Sequence, residues 1–249
     1  MRILVTAGNT LVPIDRVRVI TNIFTGRTGT QIALEAHRRG HTVTLLTSHP
    51  ELVSEMNQGD APLSQAWTAH SYRTFDDLQV LMEKCLRGDE LDAVIHSAAV
   101  SDYRGAGIYA PGPQTQFHAD SRQWTTAAGP PTLVDRAAGK VKSDEPELWL
   151  RLVRTPKLVD LVRADWAFRG LLVKFKLEVG VTEGQLLEIA ERSRCQSAAD
   201  LMVANTLEGA HAWAYLGPLA RQYQRVSRRE LASRLLDAVE QLHKEHNRG

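Results

Sequence analysis

The segment ITNIFTGRTG, residues 20–29, places a threonine and two glycines three residues apart directly ahead of a helical stretch. Glycine has no Cβ, so backbone N–H groups at a helix N-terminus can close on a phosphate there, and Thr25, Gly26 and Gly29 form a candidate seat for one. The same glycines serve equally as turn formers. The spacing is not a Walker loop, because no Gly-Lys-Ser/Thr follows. It is not G-x-G-x-x-G either, because a whole loop separates Gly8 from Gly26. Asn22 carries an amide that can hold a carboxylate or an oxyanion, or close a turn. Arg18 offers a grip for a second anion, or a solvated loop charge.

Further along, SAAVSDY (97–103) puts Ala98 and Ala99 after an apolar run, where small side chains let a ligand lie on the backbone. Asp102 follows, placed for a ribose hydroxyl or a phosphate-bound metal, or for a turn. GKVKSDEP (139–146) supplies loop lysines, of which Lys140 could neutralise charge developing at phosphorus. Phe175, between Lys174 and Lys176, suits stacking on a base or packing in a core. The chain has neither H-E-x-x-H nor G-x-S-x-G, so neither a zinc site nor a hydrolase elbow is expected.

These residues need elements to position them. Short apolar runs at 2–8, 41–48, 91–100, 147–155, 170–178 and 199–205 read as strands. Between and after them, 28–40, 75–88, a segment beginning at Pro156, 182–194 and a tail at about 228–246 read as helices. Strands alternating with helices predict an α/β fold, Rossmann-like, with a mainly parallel sheet and helices on both faces. In such sheets ligands gather beyond the carboxyl ends of the strands, which selects residues 8–10, 98–102, the stretch 104–139, Phe175 and Lys176, and Ala204 and Asn205. The rhythm breaks over 104–139, rich in Gly, Pro, Ala and Thr and without a period, which reads as a flap, an insertion or disorder. We expect one nucleotide-binding domain over 1–249 that carries this insertion.

At 249 residues the chain can bury one sizeable core. A net charge of +1 argues against a general nucleic-acid binder. Cys85 and Cys195 have no ligand spacing, no run approaches a membrane span, and the start RILV lacks a signal pattern, so a cytoplasmic protein without membrane partners is expected.

In order, TAGNTLVPIDRVRVITNIFTGRTG, AAVSDY, GKVKS, TPK, VKFKLE and LMVAN resemble the phosphopantothenate–cysteine ligase family over residues 3–205. The resemblance implies that 4′-phosphopantothenate is joined to cysteine through an acyl-nucleotide, with CTP or ATP as co-substrate, magnesium on the nucleotide, and release of pyrophosphate. It implies that Asn22 holds the carboxylate and the acyl intermediate. Gly8, Thr25, Gly26 and Gly29 would line the nucleotide site, and Ala98, Ala99 and Asp102 would contact nucleotide and substrate. Lys140 would stabilise departing pyrophosphate, and Phe175 and Asn205 would lie around base and sugar. Arg18 resembles an arginine that reaches phosphopantothenate in a neighbouring subunit, so a homodimer is implied. Phe24 replaces a usual serine, Arg27 a frequent lysine, and residues 104–139 exceed the usual link. The family is often fused to a flavin-dependent decarboxylase; this chain contains none, so flavin is not expected.

Two other readings compete. A short-chain oxidoreductase would want Tyr-x-x-x-Lys, which does not follow Tyr103. A repurposed, non-catalytic nucleotide-binding module is favoured by Phe24 and the insertion, and opposed by Asn22, Asp102 and Lys140 occurring together.

Overall fold

The computed structural model describes residues 1–58, 62–88 and 90–246. In chain order its elements are β1 (Arg2–Ala7), β2 (Leu11–Pro13), β3 (Val19–Thr21), α1 (Arg27–Arg38), β4 (Thr42–Thr47), α2 (Glu51–Met56), β5 (Trp67–Ser71), α3 (Phe75–Gly88) and β6 (Ala93–His96). There follow β7 (Tyr103–Pro111), β8 (Thr115–His118), β9 (Gln123–Thr126), β10 (Leu133–Asp135), β11 (Trp149–Arg154) and α4 (Leu158–Ala164). The chain closes with β12 (Leu171–Glu178), α5 (Glu183–Gln196), β13 (Leu201–Thr206), β14 (Trp213–Leu219), β15 (Gln222–Ser227) and α6 (Leu231–His246). They fall into two compact units, the first of residues 1–10, 23–100 and 157–249, the second of 11–22 and 101–156.

The first unit is an eight-stranded sheet in the order β15-β14-β13-β12-β6-β1-β4-β5. From β5 to β13 neighbours are parallel, and β14 and β15 add an antiparallel edge. Side chains alternate across a strand, so each central strand feeds two cores. On one face Ile3, Val5, Ile95, Val173 and Val203 pack with Ile32 of α1 and Leu235 of α6. On the other face Leu4, Val94 and Leu172 pack with Leu78 and Met82 of α3 and Leu158 of α4. Further along the sheet, Leu186 of α5 packs with Met202 and Ala204. Helices therefore cover both faces of a mainly parallel sheet, as the alternating pattern predicts.

The second unit has no helix among its described residues. Central β7 pairs antiparallel with β10 and β11, β2 pairs with β3, and β8 pairs with β9. Phe117, Trp124 and Trp149 form an aromatic trio, with ring centroids 4.7–5.1 Å apart. Residues 104–139, which lack a period in the sequence, thus hold most of β7 and all of β8, β9 and β10. Their short strands are largely exposed or half-buried, so no apolar alternation marks them.

One buried group gives the first unit an acid-sensitive point. His96 is buried, with Nδ1 2.9 Å from Thr6 Oγ1. Burial, and then the charge of Lys174, lower its pKa to about 4. In the unfolded chain a histidine protonates at about pH 6.5. The unfolded state therefore binds more protons between these values, and stability falls as the pH drops through that window. The expected loss is about 3 kcal/mol across the window. Urea unfolding at pH 6.5 and pH 4 should show this component in the native chain and lack it in His96→Gln.

Candidate functional site

In the first unit, β1 ends at Ala7 and the chain turns at Gly8, with φ +98°. A Cβ on Gly8 would stand 2.1 Å from Ser48 Oγ. Gly26, the N-cap of α1, has φ 90°, and a Cβ there would stand 2.1 Å from Gly8 N and 2.6 Å from Gly8 Cα. A Cβ on Gly29 would meet Ser97 Oγ at 2.3 Å and Ala7 Cβ at 2.7 Å. The three glycines thus let the start of α1 lie directly on the carboxyl ends of β1 and β6.

That helix start has no side-chain cap and no acidic residue in its first turn. Its positive end is therefore not neutralised by α1 itself, the electrostatic setting an anion favours. Arg228, which the sequence reading did not single out, donates from Nη2 to Thr28 Oγ1 in this turn. Burial lowers the pKa of its guanidinium. Thr25 is exposed beside the cap.

Residues 8–10 run beside 98–99. Asn9 and Ala99 form a parallel bridge, Ala99 N–H donates to Gly8 O at 2.8 Å, and Thr10 N–H donates to Ala99 O at 3.3 Å. Ala98 N–H donates to Thr6 Oγ1 at 3.2 Å. The backbone donors of both alanines are thus engaged by the fold, and their small side chains are what they contribute at the strand end. Phe175 is half-buried and packs against the α1-side core, one of the two roles that the sequence left open. Asn205 is half-buried in β13, opposite Leu177.

Arg18, Asn22, Asp102 and Lys140 belong to the second unit. Asn22 follows β3 and is half-buried. Asp102 is exposed, and its main-chain oxygen accepts from Thr155 N–H at 2.9 Å. Arg18 donates to Asp15 Oδ2 from Nε at 3.1 Å and from Nη2 at 2.7 Å. Its Nη2 also donates to Val141 O at 2.9 Å. Lys140 is exposed, next to buried Val141. Asp15 is the second residue the sequence reading missed; an Asp just after Pro13 and Ile14 is a turn signal that could have drawn notice. Among the described residues no group of three or more His, Cys, Asp or Glu side chains could hold a metal ion. No helix among them is long and apolar enough to cross a membrane.

A mainly parallel sheet with helices on both faces and a glycine-seated helix start at the carboxyl ends of its strands defines a doubly wound α/β protein. Residues 1–110 match the family described as the DNA/pantothenate metabolism flavoprotein C-terminal domain. It is 32% identical over 247 residues to the coenzyme A biosynthesis bifunctional protein CoaBC of Thermococcus kodakarensis, covering 97% of this chain and 51% of that protein. The chain thus spans about half the length of that relative. The crystal structure of the DNA/pantothenate metabolism flavoprotein from Streptococcus pneumoniae superposes with a TM-score of 0.75 at 27% identity, covering 98% of this chain and 100% of that one. A Cab2 mutant in complex with phosphopantothenate-cysteine shares the fold, with a TM-score of 0.68 at 16% identity over 100% of this chain and 89% of that one.

Proposed function

We propose that the chain is a phosphopantothenate–cysteine ligase acting in coenzyme A biosynthesis. The observation that carries this reading is the uncapped start of α1, seated by Gly8, Gly26 and Gly29 on the strand ends. The similarity to CoaBC, and a shared fold with a protein holding phosphopantothenate-cysteine, support it.

The reaction has two displacements. A carboxylate oxygen of 4′-phosphopantothenate attacks the α-phosphorus of CTP or ATP, the bond to the bridging oxygen breaks, and pyrophosphate leaves. The amine of cysteine then attacks the acyl carbon, the nucleoside monophosphate departs, and the amine loses a proton. Gly8, Thr25, Gly26 and Gly29 would cradle the triphosphate, and Ala98 and Ala99 would leave room beside it. Asn22 would hold the carboxylate and the acyl intermediate through its amide, and Lys140 would offset charge on departing pyrophosphate. Phe175 and Asn205 would border base and sugar. Magnesium would arrive on the nucleotide, and Asp102 would be its protein contact. Arg18 would grip the substrate of a neighbouring subunit, which makes the working form a homodimer in the cytoplasm.

Thermal unfolding with CTP, ATP and NADPH in parallel tests the nucleotide class. One of the two triphosphates should raise stability by about 2.7 kcal/mol at a hundredfold excess over its Kd. Stabilisation by NADPH alone would contradict the reading.

A further inference from the structure

Asp15 has a hydrogen-bond set out of proportion to a surface turn. Its Oδ1 accepts from Val17 N–H and Arg18 N–H, each at 2.8 Å. Its Oδ2 accepts from the Arg18 guanidinium and, across 126 residues, from Val141 N–H at 3.0 Å. The side chain is fully shielded from solvent. The Arg18 guanidinium, then the backbone donors, hold its carboxyl well below the usual carboxylate range.

Two further bonds join the same segments: Arg16 N–H donates to Gly139 O at 3.1 Å, and Arg18 Nη2 donates to Val141 O at 2.9 Å. Lys140 is thus bracketed by two residues that are both fastened to the 15–18 turn. At the base of its loop, Arg136 Nε and Glu145 Oε1 form an ion pair at 2.5 Å. An exposed lysine on a loop loses much of its value to conformational entropy unless the backbone beneath it is fixed.

We propose that Asp15 is a positioning residue that ties the Lys140 loop to the Arg18 turn, so that the loop lysine is set by one carboxylate. This rests on the ligase reading for its effect on rate, while the tether itself does not. Asp15→Asn keeps the size of the side chain and removes its charge. Hydrogen exchange at the Val141 amide should become at least tenfold faster, while amides of the β7–β11 ladder keep their protection. The kcat for pyrophosphate release should fall at least tenfold, with nucleotide-dependent thermal stabilisation retained. Adding Asp15→Asn to Lys140→Ala should slow the enzyme no further than Lys140→Ala alone. Glu145→Gln, which loosens the loop base without touching Asp15, should reproduce the kcat loss in smaller measure.

Native Val141 exchange and native kcat in Asp15→Asn would overturn the proposal, as would losses that multiply in the double variant. If the native chain releases no pyrophosphate, the ligase reading fails; the Val141 amide then decides the tether, and native exchange in Asp15→Asn overturns it.

Discussion

Asn22→Asp is expected to stop ligation or to strand it at the acyl-nucleotide, with turnover reduced at least about a hundredfold. The amide of Asn22 can donate to a carboxylate or to the carbonyl of its anhydride, whereas an aspartate at the same place offers only acceptors. It would also set a second negative charge against the substrate. The size of the side chain is unchanged, so the fold should persist, and circular dichroism would check this. Pyrophosphate release and product mass, followed together, separate the outcomes: pyrophosphate without adduct marks a stranded intermediate, and silence marks lost activation. Native turnover would remove Asn22 from its proposed role.

Gly26→Ala should be the most damaging small change in the first unit. The position has φ 90°, and the added methyl would stand 2.1 Å from Gly8 N. Left-handed strain costs about 1–2 kcal/mol and overpacking against backbone about 1–3 kcal/mol, so a loss of about 3 kcal/mol is expected. Triphosphate-dependent stabilisation should vanish as well, because α1 would have to lift from the strand ends. Gly40→Ala is the control: its φ is +83°, but no atom lies within 4 Å of the added Cβ. It should cost only the strain, about 1–2 kcal/mol, and leave nucleotide binding intact. Urea unfolding of the two variants, with and without nucleotide, makes the comparison.

Most of the parallel sheet was legible because β1, β4, β6, β12 and β13 are short, apolar and separated by helices, whereas the exposed β5 was not; α3 falls on the predicted 75–88. The glycines before α1 were legible as a candidate seat, but their reason was not. Spacing cannot reveal that Gly26 packs on the backbone of Gly8, a contact made across seventeen intervening residues. The edge strand β15 went unread, as did the strands within 104–139, because edge and largely exposed strands lack a clear apolar alternation. Asp15 was hidden for another reason: its partner Val141 is distant in sequence and is reached through a main-chain N–H, which leaves no mark on residue identity.

The most direct test is to mix the protein with 4′-phosphopantothenate, cysteine and magnesium, with CTP in one reaction and ATP in another, and to follow pyrophosphate and product mass. The expected result is a phosphopantothenate–cysteine adduct, formed with one equivalent of pyrophosphate, in at least one of the two reactions. Nucleotide binding with neither pyrophosphate nor adduct in either reaction would contradict the ligase assignment.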